Sequence, residues 1–138
     1  YFLDDKVFIK CNAAISLSEK MAGLQVYRKL DVNSGLLFMY DKPESVMYHM
    51  GSVSFPIDII FIDSKSSVKK VYKDIKPGNL GVYSCADVKY VLELNAGACD
   101  AMRIHKGKKI RVYQDKTGDK KVDEVIKVAD QRRISSFG

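Results

Sequence analysis

The sequence predicts an α+β domain: a compact, mainly antiparallel β-sheet or small barrel with two short helices and a C-terminal helical tail. Three observations carry this expectation. Runs rich in β-branched and aromatic residues, above all Ile57–Asp63 (IDIIFID), lie between turn-forming residues. A Ser-x-x-Glu box at Ser16–Glu19 marks a helix start. Near the C-terminus Val122, Val125, Ile126 and Ala129 recur at i, i+3, i+4 and i+7. At 138 residues the chain is read as one globular domain, residues 1–114, followed by a tail, residues 115–138.

The elements follow in order. Asp4–Ala14 alternates well enough for a first strand. The Ser16 hydroxyl can accept from the backbone at Glu19, whose side chain reaches back to the cap, and Leu17, Met21 and Leu24 then share one helix face. DVNSG is a turn, LLFMY (36–40) a buried strand, and Pro43 closes another turn. IDIIFID ends at the turn-prone DSKSS, and VKKVYKDI (68–75) returns as a hairpin arm with Val68, Tyr72 and Ile75 inward. KPGNLG is a loop and KYVLEL (89–94) a strand. Asn95 is placed to cap a helical turn over Ala96–Met102. HKGKK turns the chain into a last strand, KIRVYQD.

Composition narrows the function classes. The net charge of +6 permits an acidic partner without demanding one. Cys11, Cys85 and Cys99 are an odd number without CxxC spacing, which fits neither a disulfide framework nor a zinc site. Each sits among apolar residues, so buried free thiols in a reducing compartment such as the cytoplasm are expected. No apolar run is long enough to span a bilayer, and no signal peptide is visible in the sequence. There is no phosphate-cradling or dinucleotide-binding glycine pattern, so no cofactor is expected.

Five segments, AGLQVYRKL, GLLFMY, MGSVSFPIDIIFID, YVLELNAG and IHKGKKI, stand in an order and spacing that resemble the domain of unknown function 192 family. These are small uncharacterised proteins of bacteria, archaea and some of their viruses. The likeness runs from Val7 to Val112 and is firmest at Tyr90–Gly97 and Pro56–Asp58. It implies a compact β-rich domain with small helices and no established activity. The chain departs from the family pattern where that pattern has an aromatic residue and then Met-Lys-Asn-Thr. Here His49, Met50, Gly51, Ser52 and Val53 stand instead, and Gln25 replaces a methionine. The lysine, asparagine and threonine are gone, a loss that a packing scaffold tolerates better than a catalyst.

Candidate chemistry centres on His49, Met50, Asp58 and Glu93 as a ligand-binding set. Asp58 and Glu93 are acids inside apolar strands, and such carboxyls must be paired or hydrogen-bonded. Asp58 shares a strand face with Ile60 and Ile62. Met across the sheet, Asp58 and Glu93 would form a carboxylate pair suited to acid–base chemistry or glycoside cleavage. The competing reading makes Asp58 a structural acid and Glu93 the partner of a basic residue. His49 is a general base by residue type, but no nucleophile or orienting residue accompanies it. His49 and His105 lack acids at ligand spacing, which argues against a metal.

Two basic clusters, Lys65/Lys69/Lys70/Lys73/Lys76 and Lys106/Lys108/Lys109/Arg111, could face phosphates, with Tyr72, Tyr83 and Tyr113 for stacking. The bland reading is solvated hairpin faces. The lost polar motif and the missing catalytic constellation lean away from an enzyme. The leading expectation is a structural or interaction module whose tail, through Val122, Val125, Ile126, Arg132 and Arg133, docks on other chains of an assembly such as a virion. The alternative is a small-ligand or glycan-binding domain, or a cryptic enzyme, with a pocket around Asp58; nucleic-acid binding is a third reading.

Overall fold

The apolar run Ile57–Ile62 is a strand with all six residues buried. A strand buried on both sides needs cover on both faces, and the rest of the chain supplies it. The computed structural model of the chain describes residues 2–16, 20, 23, 30, 34–50, 53–114 and 124–129. They contain seven strands: β1 (Phe2–Ala14), β2 (Ser34–Tyr48), β3 (Ile57–Ile62), β4 (Val68–Ile75), β5 (Tyr83–Asn95), β6 (Lys109–Gln114) and β7 (Glu124–Ala129). A four-residue helix, α1 (Ala98–Ala101), links β5 to β6.

The strands form one sheet in the order β4-β3-β5-β2-β1-β7-β6. β1 and β2 pair in parallel, and the other neighbours are antiparallel. The two outermost strands also meet. Ser67 bridges Lys109, Val68 N–H donates to Lys108 O at 2.9 Å, and Ile110 N–H donates to Ser66 O at 2.8 Å. The sheet therefore turns back on itself, which removes part of each exposed edge.

Each face carries its own core. Ile9, Leu37, Ile60, Leu92 and Ile110, drawn from five strands, pack together on the face that the closure encloses, with Cys99 of α1. On the other face Phe38, Ile59, Phe61 and Val91 pack under Leu30 and under Met50, Val53 and Phe55 of the β2–β3 connection. Burying an aliphatic or aromatic side chain of this size contributes about 1.5–3 kcal/mol.

The expected α+β chain with two short helices and a helical tail is corrected by this architecture. α1 is much shorter than Ala96–Met102 and begins after Gly97, whose φ is 93°. Asn95 does not cap it, because its side-chain amide donates to Leu30 O at 2.8 Å. Of the helix expected after Ser16, most lies outside the described residues; Lys20 N–H donates to Ser16 O at 3.0 Å. The described part of the tail is strand β7, paired with β1 on one side and β6 on the other. Its helical spacing lost because Val125, Ile126 and Val128 are β-branched and because two strand edges needed backbone partners. Val122, Arg132 and Arg133 lie outside the described residues.

Pro43 does not end a strand but sits within β2, where the register with β5 is interrupted between Met39 and Glu44. Cys11 and Cys99 are buried free thiols, whereas Cys85 is partly exposed.

Candidate functional site

Asp58 lies in the middle of β3 and is fully buried. Its Oδ1 accepts the Asp74 N–H at 2.8 Å, and its Oδ2 accepts the Cys99 N–H at 3.0 Å. Asp74 has φ 52°, a left-handed conformation in β4, and its register with β3 is irregular there. Cys99 is in the first turn of α1, where backbone N–H groups lack helical acceptors. One carboxylate thus holds a kinked strand and a helix start. Burial, with Asp58 beside it, pushes the Cys99 thiol above its usual range.

Glu93 is on the opposite face. It stands between Leu36 of β2 and Ile59 of β3, so hydrocarbon flanks it on both sides. Its residue is 4% exposed. Among the described residues its carboxyl makes no hydrogen bond and no ion pair, and burial pushes it up to about 8. An unsatisfied buried polar group is exceptional in a native fold and calls for an explanation.

Beside Glu93 lie two tyrosines of β2. The hydroxyls of Tyr40 and Tyr48 are 2.7 Å apart. Eight residues of straight strand would span about 26 Å, so β2 must bend sharply between them. The Lys89 ammonium stabilises that bend by donating to the carbonyls of Tyr40 and Asp41. Burial raises both tyrosines above the usual range, and the Glu93 charge acts on both in the same direction. In the hydroxyl pair one O–H donates to the other oxygen, which leaves the second O–H available.

Aromatic edges frame this position. Tyr48 packs edge-on to Phe38 at 4.8 Å and Phe61 at 6.0 Å between ring centroids, and the row continues through Tyr72 to Tyr83. The Lys20 ammonium sits 4.0 Å from the centroid of the Tyr40 ring. Tyr40 is half-buried, so the group meets solvent along this ring.

The four residues read from the sequence as one site are therefore divided. Met50 is buried in the same core as Phe38, on the Glu93 face. His49 is exposed and makes no hydrogen bond among the described residues. Asp58 is across the sheet, so the carboxylate pair does not form. Tyr40, Tyr48 and Lys89 were missed; the bend that unites them is signalled in the sequence only by Pro43.

The lysine clusters behave differently from the reading as two separate patches. Lys109 Nζ donates to Ser67 Oγ at 2.7 Å and Lys65 O at 3.3 Å, so the clusters meet where β4 and β6 join. Lys108 is buried, and Lys73 and Lys76 are paired with Asp100 and Asp74. Among the described residues no His, Cys, Asp or Glu side chains group as metal ligands, and no helix is long and apolar enough to cross a membrane.

Residues 3–112 match the family described as Uncharacterized ACR, domain of unknown function 192. No curated protein matches the chain. The fold is similar to the crystal structure of a putative transcription regulator from Sinorhizobium meliloti 1021, at 24% identity and TM-score 0.69, covering 75% of this chain and 88% of that one. It is also similar to a protein of unknown function from Novosphingobium aromaticivorans DSM 12444, at 24% identity and TM-score 0.70, covering 73% of each chain.

Proposed function

Because this chain belongs to the domain of unknown function 192 family, whose description assigns no activity, we propose its function from the site itself: it is a small-ligand-binding domain, with the ligand at Glu93 rather than at Asp58. The observation that carries this reading is the Glu93 carboxyl, buried with no partner among the described residues, against the Tyr40–Tyr48 hydroxyl pair. Desolvating a carboxyl without a hydrogen bond costs several kcal/mol, on the order of 2–7 for a neutral polar group. A ligand with a donor group offsets that cost. Apolar walls with a few convergent polar groups are the usual composition of such sites.

Asp58 supports no comparable reading, because both its oxygens already accept backbone N–H groups. The assembly-docking reading, including a virion setting, draws on the lost polar motif, the missing catalytic constellation and the tail; β7 changes only the expected helical form of that tail. Chemical-shift mapping of the ¹⁵N-labelled protein against a library of small polar compounds tests the proposal. Hits should perturb the amides of Glu93, Tyr40 and Tyr48 and should lose their effect in Glu93→Gln. If every hit maps elsewhere, or none is found, the reading fails.

A further inference from the structure

Resting on that reading, we propose that the group bound at Glu93 is a cation, a primary ammonium or a guanidinium, with the carboxylate as its counter-ion and the tyrosine rings as its walls. Three classes of ligand group can be compared. An anion is disfavoured, since it would approach a buried carboxyl flanked by hydrocarbon, and the nearby Lys20 ammonium already lies over the Tyr40 ring. A neutral hydroxyl can accept from one tyrosine and donate to Glu93, but it leaves the carboxyl uncharged. A cation satisfies both features together: N–H groups for the carboxyl oxygens, and charge for the rings.

The protein already carries one example of this chemistry. The Lys20 ammonium lies over the Tyr40 ring at 4.0 Å from its centroid, at the rim of the same group. Among the described residues the remaining charged groups near it do not compete for Glu93. Lys89 is committed to the Tyr40 and Asp41 carbonyls, and Glu44 is exposed and acts on Tyr40. The free carboxyl holds its proton to about pH 8 because burial disfavours the anion. Entry of a cation reverses that preference. The Glu93 O–H proton passes to solvent or buffer, the carboxylate forms, and the ligand's N–H groups donate to it. No covalent bond in the ligand changes, and one proton leaves for each cation bound below pH 8.

The test uses butylammonium, butylguanidinium and tetramethylammonium as cations, and butanol and butyrate as neutral and anionic matches. Binding is followed by calorimetry in buffers of differing ionisation enthalpy and by amide shifts. Butylammonium and butylguanidinium should bind at millimolar concentration. Their affinity should rise as much as tenfold per pH unit between pH 6 and 8, level off above, and release about one proton per site. Tetramethylammonium, which has no N–H, should bind more weakly. Glu93→Gln should abolish the pH dependence while keeping the wild-type circular dichroism, and Tyr48→Phe should weaken binding without abolishing it. Butanol binding as well as butylammonium, with no proton released, overturns the cation assignment but leaves ligand binding at Glu93 standing. If no probe shifts the Glu93 and Tyr48 amides, both are overturned.

Discussion

Asp58 and Glu93 stand on neighbouring strands one register step apart and leave the sheet on opposite faces: Asp58 is opposite Leu94, and Glu93 is opposite Ile59. That single step divides their chemistry. Asp58 accepts two backbone N–H groups, whereas Glu93 accepts none among the described residues. A period of two residues is enough to separate a structural acid from a candidate binding group.

Replacing Asp58 by alanine should destabilise the fold strongly. It strands the Asp74 and Cys99 N–H groups, and leaving a buried donor unsatisfied costs about 1–3 kcal/mol each. A loss of about 3 kcal/mol or more is expected in urea unfolding. Asp58→Asn should recover part of it, since its amide oxygen can accept one bond but its NH₂ opposes the other donor. A loss below about 1 kcal/mol would rule out this pinning role.

Glu93 should make the protein less stable as pH rises. Its folded carboxyl holds a proton up to about 8, against 4.5 for an unfolded glutamate. Between those values the native state binds the extra proton, so the stabilisation is complete below 4.5 and is lost as pH climbs through 8. The slope is about 1.4 kcal/mol per unit, or on the order of 5 kcal/mol over the window. Urea titrations at pH 5, 6.5 and 8 should show this decline in the wild type, with a much flatter line in Glu93→Gln. Parallel lines for the two proteins would mean that Glu93 ionises normally.

How much of this could be read from the sequence depended on burial. Ile57–Ile62 was legible as a strand because every residue but Asp58 is β-branched or aromatic. The same uniformity hid which acid mattered, since a strand buried on both faces gives no inward–outward pattern. Val68 and Ile75 were both read as inward, and the irregular register of β4 sends them to different cores. The Tyr40–Tyr48 contact was invisible because Pro43 reads as the end of a strand, and here it lies within a bend held by Lys89 from another strand. β7 was misread because Val125, Ile126 and Ala129 satisfy a helical spacing, while the edges that recruit them come from distant sequence.

Gly35 should not tolerate a side chain. It opposes Leu94, and a Cβ there would come within 2.6 Å of Leu94 Cδ2 and 3.0 Å of the Glu93 carbonyl oxygen. The leucine can shift, but the carbonyl belongs to the ladder. Gly35→Ala should cost about 1–3 kcal/mol, as overpacking does in other cores. Thermal unfolding measures it, and an unchanged midpoint would show that β2 and β5 separate more easily than this contact implies.

The strand character of β7 can be tested through its backbone. Lys127 is opposite Phe8 of β1 and Arg111 of β6, so the strand has a neighbour on each side. Proline at this position removes a ladder N–H and its ring crowds the adjoining strand, which confines proline to sheet edges. Lys127→Pro should therefore destabilise the whole domain by at least about 2 kcal/mol in urea unfolding and expose the edges of β1 and β6 to self-association. Light scattering would detect that association. A helical tail outside the sheet would behave differently, because proline there would disrupt the tail and leave the domain's unfolding midpoint where it was. An unchanged midpoint in Lys127→Pro would thus remove β7 from the sheet, whereas a lower midpoint together with association would place it within the sheet, between β1 and β6.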